Sequence, residues 1–241
     1  MSETQTSKTK RDLIVDALME LAAERRWEDI SIHDVAVRAG ISLSDFRDQF
    51  PSKGAALAAF SRYIDKIVLD GTSDDLAGEP AKDRLFDVLM RRLDAMAPQR
   101  EALRAIVEWA RRDPVSATAL NSMALNSMRF MLEAADISSE GATGHVKLQG
   151  LVLAWTRILD VWLDDEDPAL ARTMAALDRE LARGEKLVAR VEDMNRLAAP
   201  LRTLARSFLT MARSRRPGAR RAHFDEETGP NTSEERRTHT L

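Results

Sequence analysis

Two short helices joined by a tight turn form the feature that most constrains the fold of this chain. The stretch 31–50 reads SIHDVAVRAGISLSDFRDQF. Ser31 and Ser42 each precede a helix, and each has an aspartate three residues later, which is the pattern of a capping box. Gly40 ends the first helix, where a left-handed backbone favours glycine. Because only Gly40 and Ile41 separate the two helices, the sequence predicts a helix-turn-helix over this stretch.

The second helix of this motif has a buried face and an exposed face. Phe46 and Phe50 lie four residues apart and are expected to pack with Val35 and Ile41. The exposed face of such a motif enters the major groove of DNA. Lys53, at the start of the next helix, could hold a phosphate together with the first amides of that helix. The candidate DNA-binding residues are Ser31, His33, Ser42, Leu43, Ser44, Asp45, Arg47, Asp48, Gln49 and Lys53.

The charge of the N-terminal region is unusual for a DNA-binding domain. Residues 1–60 contain eight Lys or Arg and ten Asp or Glu, a net charge of −2, and the whole chain carries −3. Asp45 has a capping role, but Asp48 repels the phosphate backbone unless it accepts from a cytosine amino group. Attraction to DNA must therefore come from local charge such as that of Arg47.

Helical periodicity continues through the rest of the chain, without strand alternation or an internal repeat. Trp27 and Ile30 are predicted as core residues between the first helix and the motif. The loop TSDDLAGEPAKD marks a boundary between domains 11–71 and 81–212, and residues 1–10 and 213–241 are expected to be disordered. The predicted helices are 11–25, the two of the motif, one ending near Gly71, 81–96, 99–112, 114–135, 143–163, 168–190 and 193–215. The sequence therefore predicts an all-α fold.

Composition and motifs exclude several classes of function. The chain has no cysteine, which excludes disulfides, zinc–thiolate sites and thiol catalysis. No apolar run reaches the length of a membrane span, and the N-terminus MSETQTSKTKRD lacks the apolar core of a secretory signal. A glycine-rich phosphate loop, a nucleophile elbow and a paired catalytic His are also missing. We therefore expect a cytoplasmic protein that is not an enzyme and needs no cofactor or metal.

Large and adaptable side chains of the C-terminal domain suit a pocket for a small hydrophobic ligand. Methionine adapts to varied apolar shapes, and tryptophan supplies a broad apolar surface. The candidate pocket residues are Trp109, Met123, Met128, Met131 and Trp155. The same helical spacing also suits plain core packing, so both interpretations remain open.

An apolar stripe on the helix predicted over 143–163 suggests self-association. It is wider than a helix of a monomer needs, and two such helices with 168–190 could form a four-helix bundle with a second copy. The stripe consists of Leu148, Leu151, Val152, Trp155, Leu159 and Trp162. The sequence therefore predicts a homodimer.

The N-terminal segment DLIVDALMELAAERRWEDISIHDVAVRAGISLSDFRDQFPSKGAALAAF resembles the DNA-binding domain of the TetR family of transcriptional regulators. The specific elements are the AxxAGIS turn, the FPSK sequence and their spacing from ALMELAAERRWEDIS. The resemblance implies that the rest of the chain forms a helical domain for ligand binding and dimerisation. It also implies a homodimeric repressor that binds double-stranded DNA and responds to a small molecule. This chain departs from the family at Leu43, Arg47 and Asp48, where a basic residue, a Tyr and a His are common.

A second resemblance concerns the C-terminal half. The segment LVLAWTRILDVWLDDEDPALARTMAALDRELARGEKLV is similar to the C-terminal part of the coenzyme Q biosynthesis accessory proteins. Those proteins share the TetR fold but bind lipid and assist an enzyme. This resemblance implies an alternative function, a lipid-binding accessory protein that does not bind DNA.

Overall fold

Every regular element in the part of the chain that the structure describes is helical. The structure is a computed structural model, and it describes residues 8–72 and 78–190. The predicted all-α class is confirmed. Short 3₁₀ turns lie at Trp27–Asp29 and Ala97–Gln99. The helices are α1 Lys10–Glu24, α2 Ile32–Arg38, α3 Leu43–Gln49, α4 Lys53–Asp70, α5 Ala81–Met96, α6 Arg100–Arg112, α7 Pro114–Ala134, α8 Gly141–Leu163 and α9 over 171–190.

Side-chain caps fix the starts of the short helices as the sequence predicts. The Asp34 amide donates to Ser31 Oγ at 3.1 Å, and the Ser31 amide donates to Asp34 Oδ2 at 2.9 Å. The Asp45 amide donates to Ser42 Oγ at 3.1 Å, but the Asp45 carboxylate accepts from the Ser42 hydroxyl at 2.9 Å instead of from the Ser42 amide, so the predicted capping box is complete only at Ser31. Each cap satisfies backbone amides that have no partner within their own helix.

A three-helix bundle of α1, α2 and α3 encloses the first part of the core. Phe46 and Phe50 are buried as predicted, with Val35 beside them and Ile41 partly covered. The ring centroids of Phe46 and Phe50 lie 6.3 Å apart. The predicted core residue Trp27 is buried too. Burial of these rings holds α3 at a fixed position on the bundle.

Helix α4 continues from the bundle into the larger helical body. It packs against α1, α5 and α7, while α6 also contacts α1. One hydrophobic core therefore runs through both predicted domains, with Leu57, Phe60 and Ile64 of α4 inside it. This continuity makes α4 a mechanical connection between the N-terminal bundle and the body.

Four helix starts differ from the prediction by one to three residues. The last of them, α9, begins at 171 instead of 168. The Asp165 carboxylate accepts from the Thr173 amide at 2.9 Å and from the Thr173 hydroxyl at 2.7 Å. The Ala169 amide donates to Asp167 Oδ1 at 3.0 Å. These acidic side chains hold the turn DDEDP and delay the helix.

The apolar stripe of α8 is used within the chain. Leu148, Leu151, Val152, Trp155 and Trp162 are all buried in the core of this single copy, and Leu159 packs against it. The width of the stripe therefore does not by itself indicate a second copy.

Some predictions concern residues outside the described part. These are residues 1–7 of the predicted arm, the helix over 193–215, the end of domain 81–212 and the tail 213–241. Among the described helices, none combines the length and the hydropathy that crossing a bilayer requires.

Candidate nucleic-acid interface

The turn between α2 and α3 has the geometry that its glycine predicts. Gly40 has φ of +67°, a conformation that L side chains rarely adopt. The Ile41 amide donates to the Ala36 carbonyl at 3.0 Å, and the Gly40 amide donates to the Val37 carbonyl at 3.1 Å. This pair of bonds is a Schellman motif. It ends α2 sharply and directs the chain into α3.

Seven of the ten predicted DNA-binding residues are exposed on the bundle, and Asp45, Gln49 and Lys53 are half-buried. Leu43 is 51% exposed at the start of α3. The exposed residues are Ser31, His33, Ser42, Leu43, Ser44, Arg47 and Asp48. The structure thus brings together a continuous polar face of α3 with one apolar side chain on it, as required for insertion into a groove.

Val37, on α2, is an exposed apolar residue that the sequence analysis did not select. Its side chain is 64% exposed. Like Leu43, it lies beside the turn between the two helices. Exposed apolar side chains at such a position can contact thymine methyl groups. Val35 and Ile41, but not Val37, were expected to pack against the buried phenylalanines. That difference was the available signal in the sequence that Val37 is exposed.

Arg47 differs from most other cations of the bundle because no carboxylate in the described ranges pairs with it. It lies on the exposed face of α3. Its charge is therefore available to a phosphate. The cations that do form ion pairs are Lys8 with Asp16, Lys10 with Asp45, Arg25 with Asp34, Arg26 with Glu28, and Arg38 with Glu20 and Glu24.

Asp45 is neutralised by a residue from another helix. The Lys10 ammonium on α1 donates to Asp45 Oδ1 at 2.5 Å. This hydrogen bond, followed by that from Ser42, lowers the pKa of the Asp45 carboxyl. The acidic character of α3 is therefore smaller than the sequence suggests, because Asp48 is the carboxylate that remains exposed.

Lys53 is half-buried and takes part in the structure of the bundle. Its ammonium donates to the Trp27 carbonyl at 2.5 Å and to the Ile30 carbonyl at 2.8 Å. It also lies 4.8 Å from the centroid of the Trp27 ring. Burial lowers its pKa. An ammonium has three donors, so one donor remains for a phosphate beyond the two carbonyl bonds.

Arg11 of α1 supports the end of α3, a contact that sequence reasoning missed. Its guanidinium donates to the Gln49 carbonyl at 3.3 Å and lies 4.3 Å from the centroid of the Phe50 ring. A cation at the C-terminal end of a helix also interacts favourably with the helix dipole. Arg11 therefore helps to position the helix that carries the candidate contacts.

The body contains a cavity of about 320 Å³ between α4, α5, α6, α7 and α8. Two of the five predicted pocket residues, Met123 and Trp155, line it. Met128 and Met131 are fully buried in the core. Trp109 packs against Trp27, with ring centroids 5.2 Å apart, and so joins the body to the N-terminal bundle. The periodicity shared by these residues defined their buried side and did not distinguish a cavity wall from the core.

The chain is similar to known proteins in structure, whereas sequence comparison finds no match. No protein-family model matches the sequence, and no curated protein matches it either. A TetR transcriptional regulator from Nitrosomonas europaea ATCC 19718 is 25% identical, with a TM-score of 0.58 over 74% of this chain and 99% of that chain. A TetR transcriptional regulator from Rhodococcus sp. RHA1 is 20% identical, with a TM-score of 0.53 over 73% of this chain and 94% of that chain.

Both matched structures are TetR transcriptional regulators, and neither supports the resemblance to coenzyme Q accessory proteins. Both alignments extend over nearly the whole length of the matched chain, so the structural similarity includes the body as well as the helix-turn-helix. The resemblance of the N-terminal segment to the TetR family is confirmed. The chain has the fold of the TetR family of transcriptional regulators.

Proposed function

We propose that the chain is a DNA-binding transcriptional regulator of the TetR type. The observation that carries this proposal is the exposed face of α3, which holds the cation Arg47 without a carboxylate partner in the described residues. The buried face of the same helix is fixed by Phe46 and by the Schellman turn at Gly40. A rigid helix with a polar outer face is what the major groove accepts.

In the proposed complex, α3 lies in the major groove and the flanking residues contact the backbone. Arg47 and the third donor of Lys53 bind phosphates, and Ser31 and His33 at the start of α2 lie near the same strand. Leu43, Ser44 and Gln49 face base edges. The exposed Asp48 accepts from a cytosine amino group, the base donor with which carboxylates usually pair in the major groove.

The regulator acts as a homodimer in this proposal. Leu153 of α8 and Leu187 of α9 are 60% and 48% exposed, and they lie on the two helices expected to pair with a second copy. Burying such side chains against a symmetry mate would complete a four-helix bundle. Two copies would then present their α3 helices to successive major grooves about 34–36 Å apart.

A small hydrophobic effector is proposed to control this dimer from the cavity of the body. Helix α4 contributes Leu57 and Phe60 to the cavity wall and also begins beside α3. An effector that favours one position of α4 would favour one spacing of the two α3 helices. The regulator is expected to be a repressor that the effector releases, and it would act in the cytoplasm, where its DNA is.

A selection from random DNA duplexes tests the proposed function. The intact chain is incubated with a random library, and enriched duplexes are then measured at several salt concentrations. We expect an enriched sequence with two-fold symmetry, bound at least about 10³ times more tightly than random DNA. Absence of any enriched sequence, with binding no tighter than roughly 10⁻⁴–10⁻⁶ M, would count against it.

A further inference from the structure

The cavity in the body is mainly apolar, with Ser61, Asn121 and Thr156 as uncharged polar residues on its wall, and its charged groups are already paired. Its wall includes Leu57, Phe60, Met123 and Trp155. The charged residues on the wall are Arg92, Arg111 and Asp160. Arg111 and Asp160 form an ion pair with each other at the exposed side of the body. A ligand of the cavity must therefore be mainly apolar.

Arg92 is the polar group that could orient such a ligand. It lies on α5, is buried, and forms an ion pair with Asp65 of α4, which is buried as well. Its guanidinium carbon lies 5.5 Å from the centroid of the Trp155 ring. The Ser127 hydroxyl of α7 donates to the same Asp65 oxygen at 2.5 Å. The side chain is thus held in place between three helices.

The Arg92 guanidinium has more donors than the described residues have acceptors for it. A guanidinium carries five N–H donors. Nη1 donates to Asp65, whereas Nη2 reaches only the Ser61 hydroxyl, at 3.5 Å. Nε is enclosed and has no acceptor within residues 8–72 and 78–190. Ser61 also lines the cavity, so an oxygen beside it could replace the long contact to Nη2.

The charge of the site indicates a neutral acceptor. Asp65 already balances the charge of Arg92, and the Arg111–Asp160 pair balances itself. A carboxylate in this cavity would be a second anion on one buried cation, with the large cost of removing it from water. A carbonyl oxygen can accept from Nη2 at a much smaller desolvation cost.

We propose that the cavity binds a neutral, largely apolar small molecule with one carbonyl-type oxygen, to which Arg92 donates. The regulatory meaning of this site rests on the proposed function as a ligand-responsive regulator. The ligand oxygen draws Arg92 toward the cavity, and Asp65 is its partner on α4. Binding therefore changes the contact that joins α5 to α4 in the middle of the body.

Binding to the full-length, DNA-free protein tests this site by calorimetry and by tryptophan fluorescence. The probes are butyrophenone, butylbenzene and phenylbutyrate, which compare a ketone, the hydrocarbon with the same carbon skeleton and a carboxylate. We expect butyrophenone to bind about tenfold more tightly than butylbenzene, because a hydrogen bond to a charged donor contributes that much or more. Phenylbutyrate should bind more weakly than the ketone.

Variants of the buried pair identify the donor. The double variant Arg92→Met/Asp65→Asn removes the charge pair and keeps an acceptor for Ser127, so the preference for the ketone should disappear. Arg111→Met, at the outer pair of the same cavity, should retain it. Arg92→Leu/Asp65→Leu, which replaces the pair by two apolar side chains, serves if the first double variant does not fold.

Three results would overturn the proposal. These are equal affinity for ketone and hydrocarbon, tighter binding of phenylbutyrate, and no binding of any probe. A preference for the ketone that survives in both Arg92 variants would likewise assign the donor elsewhere. Because DNA is not present, these outcomes are independent of the random-duplex selection, so failure of the ligand site and failure of DNA binding can be distinguished.

Discussion

Lys10 on α1 donates to Asp45 on α3 at 2.5 Å, so two residues separated by 35 positions form an ion pair at the start of the proposed recognition helix. The pair lies at the surface, where it adds little to stability. Its main effect is electrostatic. Lys10 neutralises the negative charge of Asp45 close to the expected DNA backbone, and the Lys10 charge is then not available to a phosphate.

Releasing Lys10 should strengthen binding to all DNA sequences. Asp45→Asn keeps a polar side chain beside Ser42 but removes the negative charge, so Lys10 can bind a phosphate. We expect tighter binding and a steeper salt dependence by about one unit in the slope of log K against log salt. Asp70→Asn is the matched control, since it releases Lys66 from a similar surface ion pair at the C-terminal end of α4. An unchanged slope in Asp45→Asn would show that Lys10 does not reach the backbone.

Arg47→Ala should weaken binding to every DNA sequence alike. As a phosphate contact, Arg47 carries no sequence information, and its loss should reduce the salt slope by about one unit. Fluorescence anisotropy at several salt concentrations, with the selected duplex and a scrambled duplex, measures both quantities. Arg129→Ala, an exposed arginine on α7, provides the control. A loss limited to one base position would assign Arg47 to base recognition instead.

Lys53→Met should affect both stability and DNA binding. The variant loses the two bonds to the Trp27 and Ile30 carbonyls, and we expect a loss of about 1–2 kcal/mol in the free energy of unfolding. If the third donor binds a phosphate, the salt slope also falls by about one unit. Denaturant unfolding and DNA titration measure the two effects separately. A destabilised protein with an unchanged slope would make Lys53 a positioning residue only.

Leu153→Glu should disrupt the proposed homodimer. Leu153 is exposed in the single copy, so a charge there has little effect on folding but opposes burial against a second copy. Light scattering at micromolar concentration should give a dimer mass for the parent and a smaller mass for the variant. Val115→Glu, at a residue that is 78% exposed on α7, should leave the mass unchanged. A monomeric parent would contradict the dimer and the two-groove mechanism.

Most helix boundaries followed from the sequence because their causes are local. Ser31, Ser42 and Gly40 cap or end helices through bonds to residues at most five positions away. The start of α9 was wrong by three residues, since Asp165 and Asp167 cap it from within a turn. An acidic turn of this kind gives no periodic signal.

The functional contacts depend on pairs that the sequence does not place together. Lys10 and Asp45 are 35 residues apart, and Lys53 and Trp27 are 26 apart. The spacing of Trp109 indicated a buried side chain, but it could not show that the partner was Trp27 and not a ligand. Local patterns thus gave the helices and their faces, and the tertiary fold decided which charges stay available.

The role of Asp48 determines whether the proposed recognition helix has a base preference at this position. It is exposed on α3 and, unlike Asp45, has no ion-pair partner among the described residues. If its carboxylate accepts from a cytosine amino group, Asp48→Ala should lower the preference for that base pair by about 1–3 kcal/mol. If it only faces the backbone, the same change should strengthen binding to every duplex by relieving repulsion. Repeating the random-duplex selection with Asp48→Ala and with Asp48→Asn distinguishes these two roles. A changed base preference at one position is expected only if Asp48 contacts a cytosine. Identical sequence preference and identical affinity in parent and variants would remove Asp48 from the DNA interface.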